Sequence, residues 1–183
     1  MYKFIKGIIN HKLTIFSYLV QTDSWGIEIF TPYELSIGDP IELFLHQDFS
    51  TELGFTFYGF YSIEELAFFQ LLITVPGLGA KTTIKMASQL GFSTIGSAID
   101  KQASKVLTSI SGIGNKIAAR IVNDLKDKVP SNFTGIDYEL INTLIEIGYS
   151  QSLIMEVVNK INPQLSLENK IQDFISLISK KID

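Results

Sequence analysis

The segment LLITVPGLGAKTTIKMAS, which starts at Leu71, returns 35 residues later as VLTSISGIGNKIAARIVN, which starts at Val106. Val75 matches Ile110, Gly77 matches Gly112, Leu78 matches Ile113, Gly79 matches Gly114 and Lys81 matches Lys116. A unit used twice must bury the same apolar positions and turn at the same glycines in both copies. The pair therefore constrains the fold more than either copy could alone.

Three structures compete for each copy. A dinucleotide fingerprint needs a third glycine and a preceding strand. Thr82 and Ile117 stand at that position, and the segments upstream have a helical period. A phosphate loop of the Walker type needs glycine, lysine and a hydroxyl residue in direct succession. Here Ala80 and Asn115 separate the last glycine from the lysine. The third structure is a helix, a tight hairpin and a second helix. The glycines of Gly-x-Gly permit positive φ and close backbone approach, and Leu78 or Ile113 points inward to lock the two helices. The free N–H groups of the hairpin and of the next helix start then face outward as an anion site suited to a DNA phosphate. Lys81, Lys85, Asn115, Lys116 and Arg120 follow within the first turns and add contacts to neighbouring phosphates. Such contacts position DNA without reading its bases.

The period of the apolar residues changes twice along the chain. Residues 1–62 carry five short runs rich in Ile, Phe, Tyr and Val separated by turn residues, a pattern that predicts a five-stranded barrel of the OB type. The last two runs enclose a polar hairpin, HQDFSTELG, with Asp48 and Glu52. From Ser62 the period becomes helical. Ser62 and Glu65 form a capping box, with Leu66, Phe69, Leu72 and Ile73 on one face. Helical patterns continue through AKTTIKMASQLG, TIGSAIDKQASKVLTSI and NKIAARIVNDLKDKV. PSNFTGID, rich in turn residues, predicts a flexible linker at 131–136. Three helical segments follow, with stops at Gly148 and at Asn162–Gln164. The expected units are a barrel (1–62), an all-α DNA-binding domain with tandem hairpins (63–130) and a three-helix bundle (137–183).

The net charge of −4 argues at first against a nucleic-acid partner, because phosphate binding is driven by Lys and Arg. Its distribution reverses the argument. Residues 63–131 hold eight Lys and Arg against five acids, whereas 1–62 hold three against seven and 132–183 hold four against seven. The basic surplus lies on the repeat. With no cysteine, disulfides and thiolate zinc sites are excluded. No apolar run is long enough for a membrane helix, and the start lacks the form of a signal peptide, so a cytoplasmic protein is expected. His11 and His46 lack metal-ligand spacing, no nucleophile motif is present, and no cofactor is implied. Two other readings remain open at this level. One is a general duplex-binding adaptor, and the other is a glycosylase with Asp124, Asp127 or Asp137 downstream of the hairpin.

The motifs VPGLGAK and ISGIGNK, behind a barrel ending in YGF (Tyr58–Phe60) and ahead of a helical segment with IGYS (Ile147–Ser150), resemble the RuvA family, the Holliday-junction-binding subunits of the bacterial RuvAB branch-migration complex. The likeness spans nearly the whole chain in the family's order. It implies a non-catalytic homotetramer, or an octamer of two tetramers, that holds an open four-way junction in homologous recombination, DNA repair and the SOS response. It also implies a RuvB ATPase bound through the C-terminal domain, and RuvC resolvase as a further candidate partner. The family's DNA-contacting positions fall on Gly77, Leu78, Gly79, Lys81, Lys85, Gly112, Ile113, Gly114, Asn115, Lys116 and Arg120. Its central acidic pin, usually adjacent Glu and Asp, falls on Glu52 and Leu53, which leaves Asp48 and Glu52 as the pin candidates. Ser111 stands where a proline is common, and Asn115 replaces a frequent basic residue.

Overall fold

A computed structural model of the chain describes residues 4–52, 54–130, 133, 138–158, 161 and 165–182. Among the described residues five strands come first: β1 (Phe4–Lys12), β2 (Ser17–Gln21), β3 (Gly26–Phe30), β4 (Pro40–Ser50) and β5 (Gly54–Phe60). They close into a barrel in the order β1-β2-β3-β5-β4, antiparallel except where β3 runs parallel to β5 at Ile29–Phe57 and Phe30–Tyr58. Alternation along the strands turns Ile5, Ile9, Tyr18, Val20, Ile29, Ile41, Leu43 and Leu45 into its interior. The five-stranded barrel expected from the sequence is present, with the OB order of strands.

Eight helices follow among the described residues: α1 (Ile63–Leu72), α2 (Ala80–Leu90), α3 (Phe92–Asp100), α4 (Ser104–Leu107), α5 (Asn115–Leu125), α6 (Tyr138–Glu146), α7 (Gln151–Val158) and α8 (Leu167–Ile182). The continuous helical segment expected between Thr94 and Ile110 is divided into α3 and α4. The chain turns at Gln102, whose φ of 54° lies in the left-handed region, and Ala103 N–H returns to Ala98 O at 2.7 Å. The face expected for α1 is also shifted. It buries Glu65, Phe68, Phe69 and Leu72, whereas Leu66 and Ile73 are half-buried.

The barrel and the helices α1–α5 share a core. Tyr58 and Phe60, at the end of β5, belong to the same buried cluster as Phe68, Phe69, Ile84, Phe92, Ile121 and Leu125. Phe60 lies 4.7 Å from Phe69 and 5.9 Å from Phe92, ring centre to ring centre. Such packing removes the freedom of two separate domains and fixes the helical unit against the barrel wall. Phe133, within the stretch expected to be a flexible linker, is 1 % exposed and stacks on Phe68 at 4.7 Å, so the chain stays anchored to the helical unit at that point. The rest of 131–136 lies outside the described residues. The last three helices carry their own core, with Leu140, Ile141, Leu144, Ile154, Val157 and Phe174. Gly148, with φ 105°, ends the first of them as expected. The second stop, Asn162–Gln164, lies outside the described residues.

The joint between barrel and α1 is polar at one point. Ser62 Oγ accepts from Glu65 N–H at 3.1 Å, as the capping box requires. The Glu65 side chain is 3 % exposed and takes a hydrogen bond from Tyr33 OH at 2.6 Å, while Tyr33 OH accepts from Tyr61 N–H at 3.3 Å. Burial pushes the Glu65 carboxyl up to about 7, against the opposing effect of the Tyr33 hydroxyl and the Ser62 and Tyr61 N–H groups.

Candidate nucleic-acid interface

The two Gly-x-Gly segments form the turns between α1 and α2 and between α4 and α5. Their backbones repeat bond for bond. Leu78 N–H reaches Val75 O at 3.0 Å and Ile113 N–H reaches Ile110 O at 2.9 Å; Thr83 N–H reaches Gly79 O at 3.0 Å and Ala118 N–H reaches Gly114 O at 2.9 Å. Leu78 and Ile113 are 2 % and 3 % exposed, plugs that hold the helices together.

The glycines of each pair have different roles: only the first of each uses the positive φ that glycine permits. Gly77 and Gly112 have φ of 92° and 101°, the left-handed region where a side chain is strained. Gly79 and Gly114 have φ of −80° and −83° with extended ψ, a conformation open to any residue. A Cβ at either would meet nothing within 4 Å, so what these glycines provide is bare, exposed backbone at the start of α2 and α5. Neither helix start has a side-chain cap or an acidic residue in its first turn. Both N-termini thus present unsatisfied donors and the positive end of a helix dipole to the outside.

The copies are fastened to each other reciprocally. Lys85 Nζ on α2 donates to Ser111 O in the second hairpin at 3.2 Å. Arg120 on α5, the equivalent residue of the second copy, donates to Pro76 O in the first hairpin at 3.0 Å. Ile117 lies 3.8 Å from the position a Gly77 Cβ would take, and Thr82 lies 3.9 Å from the corresponding position at Gly112. Each contact has its counterpart 35 residues on, so the hairpins are related by an approximate twofold axis.

On sequence alone Lys81, Lys85, Lys116 and Arg120 are alike, all expected phosphate contacts. Their surroundings in the fold differ. Lys81 Nζ sits 5.0 Å above the Phe30 ring, a cation–π contact with the barrel. Lys85 and Arg120 hold the opposite hairpin. Asn115 and Lys116 are exposed at the start of α5, and Lys116 makes no hydrogen bond or ion pair among the described residues. None of the four cations has a carboxylate partner among the described residues.

The acidic candidates lie on the β4–β5 hairpin but apart. Asp48 is exposed within the ladder opposite Thr56, and its Oδ1 accepts from Phe49 N–H at 2.8 Å. Glu52 is exposed in the turn, and Leu53 lies outside the described residues. His46 is packed against Phe69 and Tyr58, with Gln70 Nε2 at 3.3 Å from its Nδ1, and burial lowers its pKa against the raising effect of Asp48. His11 is exposed on β1. Among the described residues no group of three His, Cys, Asp or Glu side chains is placed to hold a metal ion. Asp124 and Asp127, candidates for a glycosylase, are both exposed, and Asp137 lies outside the described residues. No described helix is long and apolar enough to cross a membrane.

The sequence does not predict the Phe49–Phe55 ring pair on the hairpin or the Tyr33–Glu65 contact at the joint between barrel and α1. The first was visible as two phenylalanines flanking a polar turn. The second joins residues 32 positions apart and leaves no local signal.

The closed barrel and the fastened pair of hairpins define a protein of the tandem helix-hairpin-helix class. A family model described as a SAM-like helix-hairpin-helix tandem matches residues 69–127. Curated relatives extend the match to nearly the whole chain. The "Holliday junction branch migration complex subunit RuvA" of Clostridium botulinum (strain Langeland / NCTC 10281 / Type F) is 30 % identical over 98 % of this chain and 100 % of the relative. The protein of the same name from Clostridium botulinum (strain 657 / Type Ba4) is 31 % identical over the same shares. That of Rickettsia bellii (strain OSU 85-389) is 32 % identical over 84 % of this chain and 87 % of the relative. The chain belongs to the RuvA family.

Proposed function

We propose that the chain binds four-way DNA junctions by their shape, without regard to sequence, and holds them open for branch migration. The observation that carries this reading is the reciprocal fastening of the hairpins by Lys85 and Arg120. It turns two small anion sites into one rigid unit with two outward helix starts, suited to consecutive phosphates of a duplex arm. Gly77, Gly79, Lys81, Gly112, Gly114, Asn115 and Lys116 form the grip, with the buried Leu78 and Ile113 locking its two hairpins and Lys85 and Arg120 supporting it and adding their charge. The names of the relatives, subunits of a Holliday junction branch migration complex, support the choice of a junction over a plain duplex.

In this reading four copies surround the junction, each holding part of an arm, and Asp48 and Glu52 stand near the crossover. Carboxylates there repel phosphates and discourage linear duplex from filling the centre. The chain supplies no catalysis. A RuvB motor docks on the C-terminal helices and spends ATP to move the arms, and a RuvC resolvase is a further visitor to the open face. Competition binding tests the proposal. At moderate salt a synthetic four-way junction should displace the chain from linear duplex of equal length, and equal affinity for the two would favour a general duplex-binding adaptor instead.

A further inference from the structure

Beyond the Gln47–Phe57 pair, the β4–β5 hairpin is a two-stranded ribbon among the described residues: β3 pairs with β5 only at Phe57 and Tyr58, and β1 pairs with β4 only as far as Phe44. The alternation of side chains continues into the ribbon. On β4 the row that turns Leu43 and Leu45 into the barrel core leads on to Gln47 and Phe49, and on β5 the facing row runs from Gly59 through Phe57 to Phe55. Phe49 and Phe55 are direct partners in the ladder, with ring centres 5.1 Å apart. They belong to the core-facing row, yet they stand where the barrel has ended and are 61 % and 60 % exposed.

Phe55 also lines an open cleft with Ile27, Glu28, Phe30, Phe57 and Lys81. The aromatic face of the ribbon is therefore continuous with the first hairpin of the phosphate grip. Two rings offer about 300–500 Å² of surface, short of the roughly 800 Å² per partner that a stable protein interface uses. A flat π-system bearing a phosphate fits better, since nucleobases stack on aromatic rings whatever their sequence.

We propose that Phe49 and Phe55 form a stacking platform for a nucleobase left unpaired at the crossover, with the phosphate of that strand against Lys81. The proposal rests on the junction-binding reading. It gives the hairpin two faces, an aromatic one that receives a base and an opposite one, with Asp48, that repels phosphates.

The experiment uses the full chain and a four-way junction with 5-iododeoxyuridine either at the crossover or one helical turn out along an arm. Long-wavelength ultraviolet light crosslinks the iodinated base to a stacked aromatic ring, and mass spectrometry maps the product. A crosslink at Phe49 or Phe55 from the crossover label, and none there from the arm label, is expected. Phe55→Leu and Phe49→Leu should each weaken junction binding about fivefold or more while leaving affinity for linear duplex unchanged. A bound junction, seen by fluorescence anisotropy, with no crosslink to either ring overturns the platform, as does unchanged junction affinity in both variants. A lower native mass of DNA-free Phe55→Leu assigns the rings to a contact between copies and overturns it too. Equal binding of junction and duplex by the unaltered chain overturns the junction reading and the platform with it.

Discussion

Lys85 and Arg120 occupy equivalent positions in the two copies of the repeat, and each donates to a backbone carbonyl in the hairpin of the other copy. The two bonds brace one element from opposite sides, so losing either should loosen both hairpins. Lys85→Met and Arg120→Met retain much of the aliphatic stem and remove the donor. Each should cost under about 1 kcal/mol of stability, because the bonds are exposed. Each should weaken junction binding several-fold, and the double variant should lose less than the sum, with a coupling above about 0.5 kcal/mol. Anisotropy titrations and thermal melts on the four proteins measure this, and strict additivity would count against the brace.

The glycines separate stability from binding. Gly77→Ala and Gly112→Ala force a side chain into positive φ and should destabilise the fold by about 1–2 kcal/mol. Gly79→Ala and Gly114→Ala meet no neighbour and no forbidden φ, so the stability cost stays under about 1 kcal/mol, the size of an N-cap effect. The new Cβ, however, occupies the surface where a phosphate must approach. Loss of one charge-assisted hydrogen bond there corresponds to about tenfold in affinity. If Gly114→Ala binds DNA as the unaltered chain does, the helix start of α5 is not a phosphate site.

Lys116 is exposed at that helix start and holds no carboxylate or carbonyl among the described residues. Lys116→Ala should reduce the slope of log affinity against log salt by about 0.9, the counterion release of one phosphate contact. Its effect should be similar on junctions of different sequence. An unchanged slope would remove Lys116 from the grip.

The last three helices have a buried cluster of their own, so removal of residues 138–183 should leave the barrel and paired hairpins folded. In the proposed arrangement the truncated chain still binds a junction but no longer stimulates a RuvB motor. An ATP-driven branch-migration assay distinguishes the two functions, and normal stimulation by the truncated chain would refute motor docking on these helices.

Much of this architecture was legible because it is written locally. Strands with turn residues between them, the Ser62–Glu65 cap and the 35-residue repeat all express their physics within a few positions or by self-comparison. What the sequence concealed depends on distance. Lys85 and Arg120 read as free cations because the carbonyls they hold are 26 and 44 residues away. The glycine pairs read as equivalent because composition does not report φ. The turn at Gln102 interrupts a good helical period with a residue that carries no breaker signal. Phe133 sits among Pro, Ser, Asn, Thr and Gly, and only the pocket between Phe68 and Phe92 explains its burial.

Glu65 supplies a pH test of the joint between barrel and helices. Its carboxyl is buried, takes the Tyr33 hydroxyl, and faces the Ser62 and Tyr61 N–H groups with the Glu64 charge nearby. Burial raises the carboxyl from about 4.5 in the unfolded chain to about 7 in the fold. Between those values the native state holds a proton that the unfolded state has released, so stability falls as pH rises. The contribution of the protonated group is fully present below about 4.5 and is lost as pH passes through about 7, by roughly 3 kcal/mol in total. Glu65→Gln keeps an acceptor for Tyr33 and cannot ionise. Urea unfolding at intervals from pH 5 to 8 should show a decline in the unaltered chain and a flatter profile in Glu65→Gln, with the two curves converging at the acid end once their constant offset is removed. Parallel curves across that window would mean that Glu65 is already ionised at the acid end, and that the polar joint between Tyr33 and Ser62 is solvated as a carboxylate.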